Sequence, residues 1–128
     1  MARTRFLATA ALAAAALAFG GACGTEDIEL AENDPNYEGA RLFDENCAGC
    51  HTLTVAGAQG SVTDVSSRET KDGPNFDQRK VTPNCVLYAI RNGGFSSGPM
   101  PQNILTGEDA QKVAEFVAEY SGGGGSSE

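Results

Sequence analysis

The sequence predicts an all-α domain of three main helices, joined by long loops that pack around something other than side chains. Three observations lead there. Apolar residues recur at three- and four-residue steps in stretches near 35–49, 82–92 and 106–120. No alternating pattern of useful strand length interrupts them. Beyond position 22 only 36 of 106 residues are apolar, with 14 glycines and no Trp. A single small domain so poor in apolar side chains is marginal by itself, so its core needs another occupant.

The elements follow in chain order. Residues 1–22 read as a cleaved signal peptide. Arg3 and Arg5 form a basic start, Phe6 to Phe19 is an apolar run, and Gly20-Gly21-Ala22 supplies small residues. The run is shorter than the roughly 20 residues that span a bilayer. Cys23 follows directly and resembles the acylated cysteine of a bacterial lipobox, although Gly20 stands where that box usually has Leu. Ordinary cleavage that leaves an incidental thiol, or an uncleaved anchor, are the competing readings. Residues 23–35 then form a lipid-anchor and linker segment. Its five acids and no base predict a self-repelling, extended leash of at most about 40 Å.

Asp34-Pro35 is a helix start by its acid and first-turn proline, and Tyr37, Ala40, Phe43 and Cys47 mark one apolar face. Residues 52–80 lack periodicity and read as a long loop. Thr82-Pro83 opens a second helix through Cys85, Val86, Ala89 and Ile90, which Asn92-Gly93-Gly94 closes. Residues 95–103 are rich in turn formers. Thr106-Gly-Glu-Asp109 suggests a capping box, and Val113, Phe116, Val117 and Tyr120 form the cleanest stripe in the chain. The domain is thus expected over 36–120, with a flexible tail at 121–128.

The formal net charge is −8, and a chain beginning at Cys23 carries −10 because both leader charges are basic. Such acidity argues against nucleic-acid binding. The chemistry concentrates in Cys47-Ala48-Gly49-Cys50-His51, the pattern of covalent haem c attachment. Two thiols three residues apart can each join one haem vinyl group, and the following histidine can ligate iron. A redox C-x-x-C pair would want a βαβ setting, and a zinc site would want a second ligand pair.

His51 is the chain's one histidine, so bis-histidine ligation is excluded. Met100, the one methionine beyond Met1, lies between Pro99 and Pro101 in a stiffened loop that suits a fixed iron–sulfur distance. Core filling by Met100, or ligation by Lys or Asn, are the alternatives.

At this point residues 36–120 resemble the small monohaem class I cytochromes c of bacteria. The first helix, from Gly39-Ala40-Arg41-Leu42-Phe43 through Cys47-Ala48-Gly49-Cys50-His51, is similar to the family's G-x-x-L-F-x-x-x-C-x-x-C-H block. Asn92-Gly93 with Met100-Pro101 is similar to its ligand loop, and Val113-Ala114-Glu115-Phe116-Val117 to its last helix.

The resemblance implies the class I fold, with three helices and loops wrapped around one covalent haem c. It implies that Gly39 lets the first and last helices cross closely, with Phe43 near Phe116. Gly73-Pro74-Asn75 looks like the segment whose Pro carbonyl accepts a hydrogen bond from the proximal histidine ring, which here pairs Pro74 with His51. The longer gap before Pro74 marks 62–72 as an inserted loop. Its neighbourhood holds Arg68, Lys71, Arg79 and Lys80, read as a solvated face. Cys85 is expected to be a small buried apolar residue.

Cofactor-binding residues are therefore expected to be Cys47, Cys50, His51, Met100 and Pro74, with His51 and Met100 on iron and no catalytic residue. The expected role is not enzymatic. It is that of a monomeric one-electron carrier between a reductase and an oxidase, tethered through Cys23 to the outer face of the cytoplasmic membrane. A haem subunit of a larger oxidase or reductase, and a haem enzyme or gas sensor with a displaceable Met100, are the alternatives.

Overall fold

Residues 27–123 are described in a computed structural model; the leader, Cys23 and residues 124–128 lie outside the described residues. The three helices form where the periodicity places them: α1 (Tyr37–Cys47), α2 (Pro83–Asn92) and α3 (Gly107–Tyr120). α3 packs on both α1 and α2. Its stripe of Val113, Phe116 and Val117 is buried together with Ala40, Phe43 and Ile90.

Glycine 39 sits at the α1–α3 crossing. A Cβ there would lie 2.6 Å from the Phe116 Cβ and 2.7 Å from the Lys112 carbonyl oxygen, so only glycine allows this separation. The rings of Phe43 and Phe116 meet beside it, with centroids 6.0 Å apart and planes inclined by 60°.

The helix ends show which signals operate. Thr82 caps α2 by accepting from the Cys85 amide (3.4 Å), Pro83 occupies the first turn, and Gly93 closes the helix in the left-handed region. Two starts differ from expectation. α1 begins at Tyr37 rather than 35, because Asp34 accepts from the Asn36 amide (2.7 Å) and so forms a turn ahead of the helix. The Thr106 side chain makes no capping bond, so the predicted box does not form; Glu108 and Asp109 remain as first-turn acids.

The 52–80 segment is more ordered than its composition suggested. It contains a minimal antiparallel pair, β1 (Thr52–Leu53) and β2 (Ala58–Gln59), and two 3-10 turns at Thr54–Ala56 and Val65–Ser67. Both strands are two residues long, too short to show in an alternation pattern. In the inserted loop, Asp72 accepts from the Glu69 amide (2.9 Å) and pairs with Lys71 (2.8 Å). The Lys71 ammonium holds the Asp72 carboxyl below its usual range. Arg68 donates to the Asp72 carbonyl and Lys80 to that of Glu119, so part of the basic cluster staples loops together.

Both ends of the domain extend past their predicted limits. Residues 27–35, expected in a free leash, lie against the core through Ile28 and Leu30, and the Glu29 amide donates to the Val55 carbonyl (3.0 Å). Two apolar side chains among the acids suffice to dock the segment. At the other end Ser121 is buried, accepts from the Val81 amide (3.1 Å), and precedes Gly122, whose amide donates to the Phe76 carbonyl (2.7 Å). Cys85, expected to be buried, is exposed on the outer face of α2, where Val86 and Ile90 take the inner one.

Gly39→Val should lower stability by about 1–3 kcal/mol through overpacking. The check is thermal unfolding of the purified protein, in which the midpoint falls by several degrees.

Candidate haem site

α1 ends by delivering Cys47 from its last turn. The Cys47 carbonyl then accepts from both the Cys50 amide (3.1 Å) and the His51 amide (3.0 Å), which coils Cys47–His51 into one compact turn. Two loop strands brace it from outside. The Gly60 amide donates to the His51 carbonyl (3.1 Å), and the Gly73 amide to the Cys50 carbonyl (2.7 Å). A Cβ at Gly60 would lie 2.0 Å from the Ala48 carbonyl oxygen, so the brace needs a bare backbone.

Just beyond the turn, Thr52 and Ser61 exchange three bonds. The Thr52 amide donates to Ser61 Oγ (3.1 Å), Thr52 Oγ1 to the Ser61 carbonyl (2.8 Å), and the Ser61 amide to Thr52 Oγ1 (3.0 Å). Asp77 accepts from the Thr54 amide (2.9 Å) and hydroxyl (2.7 Å), tying the 73–77 segment to the 3-10 turn that follows β1. These polar residues carry no sequence motif. They satisfy buried backbone and fix the frame in which the turn sits.

His51 Nδ1 lies 3.1 Å from the Pro74 carbonyl oxygen. A carbonyl can only accept, so Nδ1 carries the proton and Nε2 keeps its lone pair. Burial pushes the imidazole below its ordinary range, against the Pro74 bond that raises it. A neutral ring with a free Nε2 is the form that binds a metal. Phe76 stacks on it, with centroids 4.9 Å apart and planes 15° from parallel, and Phe43 flanks it at 6.4 Å. Such ring pairs contribute about 0.5–1.5 kcal/mol each. Gly73 approaches so closely that a Cβ would fall 2.2 Å from Cε1 and within 2.7 Å of both ring nitrogens.

The Cys47 and Cys50 thiols are half-buried, and neither is in a disulfide. Burial, assisted by the neighbouring Cys50, pushes the Cys47 thiol up to about 12. Met100 arrives from a different direction. Gly93 (φ 75°) and Gly94 (φ 86°) turn the chain after α2, and the Asn103 amide returns to the Ile90 carbonyl (2.8 Å). A Cβ at Gly93 would strike the Met100 carbonyl oxygen at 2.8 Å. The Met100 side chain is half-buried against the core cluster that also receives Cys47.

The structure therefore gathers Cys47, Cys50, His51 and Pro74 in one frame and seats Met100 separately on the shared core; Cys23 lies outside the described residues. Phe76 escaped the sequence reading. It sits in an aperiodic loop, and the one signal available was its place two residues after Pro74.

These features fit a covalently held haem. Two uncrosslinked thiols, a neutral imidazole and a thioether are the right donor types, and Gly73 leaves the imidazole the room a side chain would take. Among the described residues no group of three or more His, Cys, Asp or Glu side chains could hold a metal ion by itself.

Comparison with known proteins gives the family. Residues 37–121 match the family model described as cytochrome c. The chain is 26% identical over 106 residues to cytochrome c-551 of Bacillus subtilis strain 168, covering 77% of this chain and 81% of that one. It is 30% identical over 100 residues to the cbb3-type cytochrome c oxidase subunit CcoP of Rubrivivax gelatinosus, covering 77% of this chain but 31% of the subunit. The crystal structure of the c-type cytochrome SorU from Sinorhizobium meliloti superposes with a TM-score of 0.52 at 37% identity, over 68% of this chain and 91% of SorU.

Gly73→Ala should force the imidazole or its loop to move. Expressed in a host that matures such proteins, the variant should accumulate less haem-bearing product than wild type, read by haem absorbance per polypeptide; an equal yield with an unchanged spectrum would show that the crowding is relieved elsewhere.

Proposed function

The chain belongs to the cytochrome c family, carries covalently bound haem c with its iron, and serves electron transfer; from that premise we propose that His51 and Met100 are the two axial ligands of a dedicated one-electron carrier. The observation that carries this reading is the half-buried, neutral His51 ring with Nδ1 committed to Pro74, which leaves Nε2 as the ligating nitrogen. The haem supplies a one-electron couple at an iron whose bonding hardly changes between the two states.

The protein's part is to hold and tune. Cys47 and Cys50 anchor the porphyrin through thioethers at the end of α1. Pro74 orients the imidazole and makes it a stronger donor. Met100, in a loop stiffened by Pro99 and Pro101, would supply the second protein ligand, and a thioether would raise the potential. Two protein ligands would leave the iron without an open site for a substrate, which favours a carrier over an enzyme or gas sensor. The porphyrin's apolar surface would then complete the core of the surrounding helices and loops.

We further propose export, acylation at Cys23, and exchange with membrane redox complexes on the extracytoplasmic side. Because the chain is docked from Ile28, the four residues 24–27 would separate Cys23 from the domain, about 14 Å at full extension. Such a tether holds the domain at the membrane surface and does not let it range. Among the described residues no helix is long and apolar enough to cross a membrane.

A second reading, a haem subunit within an oxidase, is favoured by the similarity to CcoP. Fixed-stoichiometry co-purification with an oxidase would support it.

The deciding experiment is the spectrum of oxidised and reduced protein, wild type against Met100→Ala. The variant should lose the iron–sulfur charge-transfer band, fall in potential and bind carbon monoxide when reduced, whereas reduced wild type ignores the gas near neutral pH. An unchanged band in the variant removes Met100 from the ligand set.

A further inference from the structure

The Pro74 hydrogen bond fixes one atom of the His51 ring, and a ring held at one atom can still rock about its Cβ–Cγ bond. A second restraint is built beside it. Phe76 is pinned at both sides of its backbone, its amide donating to the Thr52 carbonyl (2.8 Å) and its carbonyl accepting from the Gly122 amide (2.7 Å). Its ring is wedged edge-on against Phe43, at 6.1 Å between centroids and 66° between planes, and presents a flat face to the imidazole at 4.9 Å and 15°.

We propose that Phe76 is a positioning residue that locks the plane of the His51 imidazole and so sets the electronic symmetry and potential of the haem iron. This rests on His51 being an axial ligand. The ring's angle about the iron–nitrogen bond determines which porphyrin orbital shares the unpaired spin of the ferric state. Rocking about Cβ–Cγ would separate the two stacked faces, so the stack resists a motion that the single hydrogen bond leaves open. The Gly122 contact extends the device to the end of α3, because the C-terminal turn holds the Phe76 carbonyl in place.

The test uses full-length, haem-bearing protein: wild type, Phe76→Leu and Phe76→Tyr. The readouts are the paramagnetically shifted haem methyl resonances of the ferric state, the electron paramagnetic resonance g-anisotropy, the reduction potential and the circular dichroism. Phe76→Leu should keep its helical signal yet show a changed methyl pattern, a broadened g-distribution and a lower potential. Phe76→Tyr, which retains a stacking ring, should restore the wild-type pattern.

A folded Phe76→Leu variant with wild-type methyl shifts and potential overturns the proposal. If that variant does not accumulate, Phe76→Met, which fills the space without a flat face, decides by the same methyl shifts and potential: a changed pattern supports the proposal and a wild-type pattern overturns it. Failure of the underlying reading looks different, because wild-type spectra would then lack histidine-ligated low-spin iron before any variant is made.

Discussion

Only 36 of the 106 residues beyond position 22 are apolar, and on the proposed reading the haem makes up the shortage in the core. The buried set runs from α3, where Val113, Phe116 and Val117 meet Phe43 and Ile90, to Leu53, Ala56 and Ala58 in the segment after the Cys47–His51 turn. Gly39 allows the close approach where α1 and α3 cross. The remaining apolar area would be supplied, on the proposed reading, by a porphyrin joined to the end of α1. Burial of apolar surface is worth about 25 cal/mol per Å² whether the surface belongs to a side chain or to a cofactor.

That arrangement places unusual demands on the polar backbone around Cys47–His51. The turn receives Gly60 on one carbonyl and Gly73 on another, and the Thr52–Ser61 and Thr54–Asp77 bonds lock the supporting loops. The result is a rigid frame made largely of hydrogen bonds. A redox centre benefits from such a frame, because electron transfer is fastest when the bonding around the metal hardly moves. Fixing His51 at Nδ1 through Pro74 and across its face through Phe76 serves the same end.

Much of this was legible in the sequence, for local reasons. Thr82-Pro83 and Gly93 act within a turn of themselves, and they bound α2 as expected. Cys47-Ala48-Gly49-Cys50-His51 identifies its own chemistry by spacing. Pro74, which the resemblance singled out, has its carbonyl within hydrogen-bond range of His51 Nδ1.

The illegible parts depend on distant partners. Ile28 and Leu30 dock an acidic segment that composition alone describes as a leash, and Ser121 is buried because Val81 needs an acceptor. Thr106 carries a capping signature without forming the bond. Cys85 was read inward although Val86 and Ile90 occupy that face. Phe76 has no pattern in the sequence because its role is set by rings that lie far from it along the chain.

On the proposed reading the cofactor is a structural part of the core. The direct measurement is scanning calorimetry of wild-type holoprotein beside a Cys47→Ala/Cys50→Ala chain freed of haem. The holoprotein should unfold in one cooperative transition and the haem-free chain in none. A sharp transition of comparable enthalpy in the haem-free chain would show that the side chains close the core unaided.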